Sequence, residues 1–146
     1  MTKGDDGAIK TKEQTGVSNT PATMVNVRYM VDDVAAAADF YTKYLGFAVE
    51  QNAAPAFAAV TRGNLRLLLS GEKSSGRRAL PDGTKPVPGG WNRIELQVAN
   101  LEAEVARLRA VGVKFRRDDI VTGPGGSQAW LVDPSGNLVE LFQAKK

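Results

Sequence analysis

The sequence predicts an α+β fold built from two similar β-α-β-β-β modules, and three observations carry that prediction. Strand and helix patterns occur in the same order in both halves of the 146-residue chain. Landmarks recur at a fixed interval: Asn26 and Arg93, like the helix-start residues Asp33 and Asn100, stand 67 positions apart. Between the halves lies one long Gly/Pro/charge-rich connection, 71–90, of a length that in compact domains usually serves as a lid, an arm or a linker. The expected organisation is a disordered tail at 1–23 and one domain at 24–146. Within it, module one takes 24–70, the connecting loop 71–90 and module two 91–143.

The tail is rich in Lys, Thr, Gly, Asp and Ser, with too little apolar surface to offset its ordering entropy. Residues 25–31 then alternate as a strand, Val25, Val27, Tyr29 and Val31 on one side and Asn26, Arg28 and Met30 on the other. Asp33 suits a helix N-cap, an apolar stripe runs from Val34 to Leu45, and Gly46 sits where a left-handed cap is wanted. Strands are expected at 47–51, 56–61 and 65–69, the last two joined through Arg62-Gly63-Asn64. Module two repeats the plan with a strand at 92–98 and a helix from Asn100 to Gly112. Its later strands fall near 114–117, 127–132 and 137–142, with one more around Ile120. Gly123–Gly126 lacks the lysine and hydroxyl residue of a phosphate-binding loop and reads as a hairpin turn. The last hairpin turns at Asp133-Pro134-Ser135-Gly136, whose proline and glycine fit a type I turn. Beyond it, Glu140 is a lone carboxylate among apolar residues, which must be neutralised, paired or put to use.

Composition narrows the chemistry. The chain has no histidine and no cysteine, which removes triad hydrolysis, thiol nucleophiles, disulfides and the commonest transition-metal ligands. No apolar run approaches the roughly 20 residues of a membrane span, and the N-terminus has no signal-like apolar core. These features predict a cytoplasmic protein. The net charge of +3 is modest, and the paired arginines Arg77-Arg78 and Arg116-Arg117 read as solvated surface. No nucleic-acid or membrane partner is expected.

Four stretches carry a family resemblance: Asp33-Val34 through Tyr41 to Leu45-Gly46-Phe47, Asn100-Leu101 through Gly112-Val113, Gly123–Gly126, and above all Asp133-Pro134-Ser135-Gly136-Asn137-Leu138-Val139-Glu140-Leu141. Together they resemble the vicinal oxygen chelate superfamily, the glyoxalase/bleomycin resistance/extradiol dioxygenase group. The resemblance implies curled mixed sheets around a cleft, helices on the outside, and a homodimer. In metal-dependent relatives a divalent ion is gripped at positions that fall here on Asn26, Leu67, Arg93 and Glu140. Glu140 alone is a metal-ligand type in its usual charged form, so no metal or other cofactor is expected. Arg93 instead stands in for the lost cation, in a bidentate pair with Glu140.

The alternation puts Asn26, Arg28, Met30, Arg93, Glu95 and Gln97 along the cleft, with Leu67, Leu69, Leu138 and Phe142 as apolar floor and Phe57, Trp91 and Trp130 as aromatic walls. Such a mixed lining suits a small-molecule site. The expectation is a metal-independent binder resembling drug-sequestering resistance proteins, with a neutral or anionic ligand because of Arg28 and Arg93. One alternative is a metal-free lyase, isomerase or dioxygenase-like enzyme with Glu140 or Glu95 as base and Arg93 stabilising an oxyanion. The other is an interaction or regulatory module with a vestigial cleft.

Overall fold

A computed structural model describes residues 23–146, so the tail expected at 1–23 lies almost wholly outside the described residues. Module one comprises β1 (Val25–Met30), α1 (Val34–Tyr44), β2 (Ala48–Ala53), β3 (Phe57–Arg62) and β4 (Leu65–Ser70). Module two comprises β5 (Ile94–Gln97), α2 (Leu101–Ala110), β6 (Val121–Gly123), β7 (Gly126–Val132) and β8 (Leu138–Ala144). The fold is α+β with two β-α-β-β-β modules, as the repeat predicts. Each forms a four-stranded mixed sheet, in the orders β1-β4-β3-β2 and β5-β8-β7-β6. The first strand of each module runs parallel to the last, and the remaining pairs are antiparallel. The stretch 114–117 is less regular than expected, holding a single bridge between Phe115 and Leu131.

Both helices start where their caps dictate. The Asp33 and Asn100 side chains accept from Ala36 N and Ala103 N at 3.0 Å, satisfying amides that a first turn leaves unpaired. Alternation gives each sheet one apolar face, and its helix packs there. Val31, Leu67, Leu69, Val60, Leu131 and Val139 are completely buried, each contributing about 1.5–3 kcal/mol by its removal from water. The apolar faces of the two modules join in one continuous core. The polar faces of both sheets therefore lie on the far sides from that core.

Polar bolts lock the modules together. The Tyr29 hydroxyl donates to Leu138 O (2.6 Å) and accepts from Ile94 N (2.9 Å), bridging the start of the β5–β8 ladder. The Tyr41 hydroxyl donates to Asp133 Oδ2 at 2.8 Å. Asp133 Oδ1 accepts from Ser135 N and Asn137 N, fixing the turn, and Gly136 completes it at φ +86°. Asn137 donates to Met30 O and accepts from Gly89 N, tying β1 and the end of the long loop to that turn. Arg77, expected on the solvated surface, is instead largely buried; its guanidinium donates to Val31 O (2.9 Å) and Pro86 O (3.2 Å) and holds the connecting loop down.

Burial pushes the Tyr29 hydroxyl up to about 12, opposed mainly by the hydrogen bond from Ile94, and also raises Tyr41. A tyrosine whose folded pKa exceeds its unfolded value near 10 holds its proton more tightly when folded. Its contribution is complete below pH 10 and is lost as pH rises toward 12. Tyr29→Phe leaves a buried N–H and a buried C=O unpaired, and is expected to cost about 2–3 kcal/mol in denaturant unfolding at pH 7. Part of the alkaline loss of stability should disappear with it.

Candidate functional site

The polar face of module two is assembled by strand register. Glu95 stands beside Glu140, Gln97 beside Phe142, and Trp130 beside Glu140 on its other side. Arg93 Nε donates to Glu140 Oε1 at 2.9 Å, and the Glu140 side chain is only 7% exposed. The ion pair expected from the sequence is present, with a different geometry. The contact is single rather than bidentate, because Arg93 Nη1 turns to Trp91 O at 3.2 Å. The guanidinium lies over the Trp130 ring, 4.1 Å from its centroid, where cation–π attraction adds to the charge pairing. Trp130 is oriented in turn by a 2.6 Å hydrogen bond from its Nε1 to Gln128.

Glu95 makes this a three-charge group. The neighbouring Glu140 carboxyl, paired with it across the strands, is the main cause of a raised Glu95 pKa; burial pushes the same way, and Arg93 opposes them. One arginine thus faces two acids. An exposed carboxyl with a raised pKa, backed by a buried carboxylate and a guanidinium, holds its proton to higher pH than an ordinary glutamate.

Module one presents a separate polar face. Asn26, Arg28 and Met30 share it with Arg66, Leu68 and Ser70 of β4 and with Phe57 of β3. Arg66 forms a two-point contact with Glu50 (2.7 and 3.0 Å) and also donates to Asn26 Oδ1 (3.1 Å). Arg28 donates to Ser70 Oγ at 2.7 Å. Among the described residues, no hydrogen bond or ion pair joins these side chains to the Arg93 group. The residues expected along one cleft are therefore divided between two faces.

One expectation needs correction. Leu67 and Leu69 line no cleft; they point into the core and are completely buried. Their strand pairs Arg28 with Leu68, as Glu95 pairs with Glu140, so Leu68 is the counterpart of Glu140. A shift of one residue reverses the face of a strand. Trp91, expected as a wall, stands 64% exposed just before β5 and lines a crevice with Arg116. The residues missed are Arg116 and Arg117, whose guanidinium carbons stand 5.1 Å from the Trp91 and Trp130 ring centroids respectively. Alternation in Lys114-Phe115-Arg116, with Phe115 facing the core, carried the signal for Arg116.

The chain matches the family model described as Glyoxalase/Bleomycin resistance protein/Dioxygenase superfamily over residues 23–141. It belongs to that superfamily. Among solved structures it resembles a superfamily member from Sphaerobacter thermophilus (26% identity, TM-score 0.67, covering 84% of this chain and 98% of that one). An antibiotic-binding protein from a Streptomyces species is similar at 25% identity and TM-score 0.63, covering 90% of this chain and 100% of that one. A lactoylglutathione lyase from Agrobacterium tumefaciens shares the fold at 21% identity and TM-score 0.66, covering 84% and 94%. A search of curated proteins finds no match. No helix among the described residues is long and apolar enough to cross a membrane.

The divalent ion of metal-dependent relatives finds a poor donor set in this superfamily member. Glu140 is engaged by a guanidinium, Arg93 repels a cation, Asn26 binds Arg66 on the other sheet, and Leu67 and Leu68 offer no donor. No group of three or more acidic, His or Cys side chains converges among the described residues. A site of this composition does not fit a divalent transition metal.

Because the folded state holds the Glu95 proton more tightly, that group's contribution is complete below its ordinary value near 4.5 and is lost as pH rises through the raised folded value. Glu95→Gln should therefore raise the melting temperature at pH 7–8 and leave it nearly unchanged at pH 4, as read by thermal unfolding across pH.

Proposed function

We propose that this protein binds a small molecule without a metal ion, and that its ligand is neutral or anionic. The observation that carries the reading is the Arg93–Glu140 pair. It holds a buried carboxylate at 2.9 Å and fills with a guanidinium the position where metal-dependent relatives need a cation. The antibiotic-binding protein among the similar structures supports a sequestering role, with Trp130 and Arg93 as the recognition surface.

Within one chain each polar face is turned away from the shared core, and each would serve as half a cleft. A homodimer that sets module one of one copy against module two of the other would bring Arg28, Met30 and Phe57 opposite Arg93, Glu95 and Trp130. Gln97 and Asn26 would then edge the same cleft. Nothing in this scheme involves nucleic acid or a membrane, and it suits a cytoplasmic protein.

A second reading rests on the cross-strand pairing of Glu95 with Glu140. In a metal-free enzyme, Glu95 would move a proton at its exposed carboxyl while Arg93 stabilised charge developing on a substrate oxygen. Its mark would be turnover abolished by Glu95→Gln while ligand binding survives.

Native mass spectrometry of the protein as isolated, with elemental analysis of the same sample, tests the main reading. A dimer free of stoichiometric divalent metal is the expected result, and a co-purified small molecule would strengthen it. One divalent ion held per site would overturn it.

A further inference from the structure

A crevice of about 400 Å³ opens beside the Arg93–Glu140 pair, lined by Gly90, Trp91, Arg116, Val132, Gly136 and Leu138. Its lining flanks the polar face of module two along the strands. Leu138 lies two residues before Glu140 on the same side of β8, Val132 two after Trp130 on β7, and Arg93 Nη1 holds the Trp91 carbonyl. We propose that this crevice is the anion-recognising end of the ligand site and takes a planar aromatic carboxylate. The inference rests on the small-molecule reading above and names the ligand class.

The lining supplies each half of that ligand. Val132 and Leu138 form an apolar floor, and Trp91, 64% exposed, is an aromatic wall with unused surface. Gly90 has φ +97°, a conformation that a side chain resists, and a Cβ there would point into open space.

The charge at the rim is uncommitted. Arg93 is engaged by Glu140 and Arg117 by Asp119 (2.8 Å). Arg116 has no carboxylate partner among the described residues and rests only over the Trp91 ring. Lys114, on the same alternation, is exposed beside it. The two acids of this face, Glu95 and Glu140, are gathered at Arg93. A guanidinium with open donors beside an apolar slot matches a carboxylate carried on a ring, through charge-assisted hydrogen bonds of fixed geometry.

Isothermal titration of the full chain with indole-3-carboxylate and its neutral analogue indole-3-carboxamide tests the assignment. The carboxylate should bind at least about tenfold more tightly than the amide, a difference suited to one charge-assisted contact. Arg116→Gln should remove that preference while leaving the amide's affinity unchanged, and Arg116→Lys should keep part of it. Trp91→Ala should weaken both probes. Equal affinity for the two probes, no binding of either, or a preference that survives Arg116→Gln would overturn the proposal. A resident divalent metal would instead overturn the metal-free reading while leaving these affinity ratios as they are.

Discussion

A glutamate with 7% of its side chain exposed to water sets the terms for module two. Turn geometry and strand alternation place Glu140 on the polar face of β8, where an unpaired charge would cost several kcal/mol. The chain answers with Arg93, and much of the surrounding structure serves to hold that guanidinium. Tyr29 reaches across from module one to fix Ile94 N, immediately after Arg93. The Trp91 carbonyl takes a second guanidinium nitrogen, and the Trp130 ring lies beneath. The inter-module bolt and the candidate site are therefore one construction.

That construction also separates fold from chemistry. The superfamily fold accommodates a lyase and an antibiotic-binding protein among the structures similar to this one, so membership does not select an activity. What distinguishes this chain is the charge arrangement on one sheet face: one buried acid, one arginine engaged by it, a second acid paired beside the first, and cationic groups at Arg116 and Lys114 with no carboxylate partner among the described residues.

Much of this was legible in the sequence because it is local. The Asp133-Pro134-Ser135-Gly136 turn, the Asp33 and Asn100 caps, and the division of β1 into a Tyr29 face and an Arg28 face all depend on residues a few positions apart. The Arg93–Glu140 pair was legible for another reason, the resemblance that brings those positions together. The failures are equally specific. Taking Leu67 as the counterpart of Glu140 implies an interval of 73, but the strands pair at 72, Leu68 with Arg28 as Glu140 with Glu95. That single position sent Leu67 and Leu69 to the wrong face. Arg77 looked like solvated surface because its partner Val31 O is distant in sequence, and the ring contacts of the exposed Arg116 and of Arg117 are supplied by other segments. The long-range hydroxyl contacts of Tyr29 and Tyr41 leave no periodic trace at all.

The most direct test of the account is a double-mutant cycle on Arg93 and Glu140, read as unfolding free energy for Arg93→Met, Glu140→Leu and the double variant. A mutually satisfied pair predicts that Arg93→Met alone, which strands a buried carboxylate, costs about 3 kcal/mol. The double variant should recover most of that loss, giving a coupling of about 2 kcal/mol or more. Single effects that add to within about 0.5 kcal/mol would contradict it, because Glu140 would then draw its neutralisation from something other than Arg93.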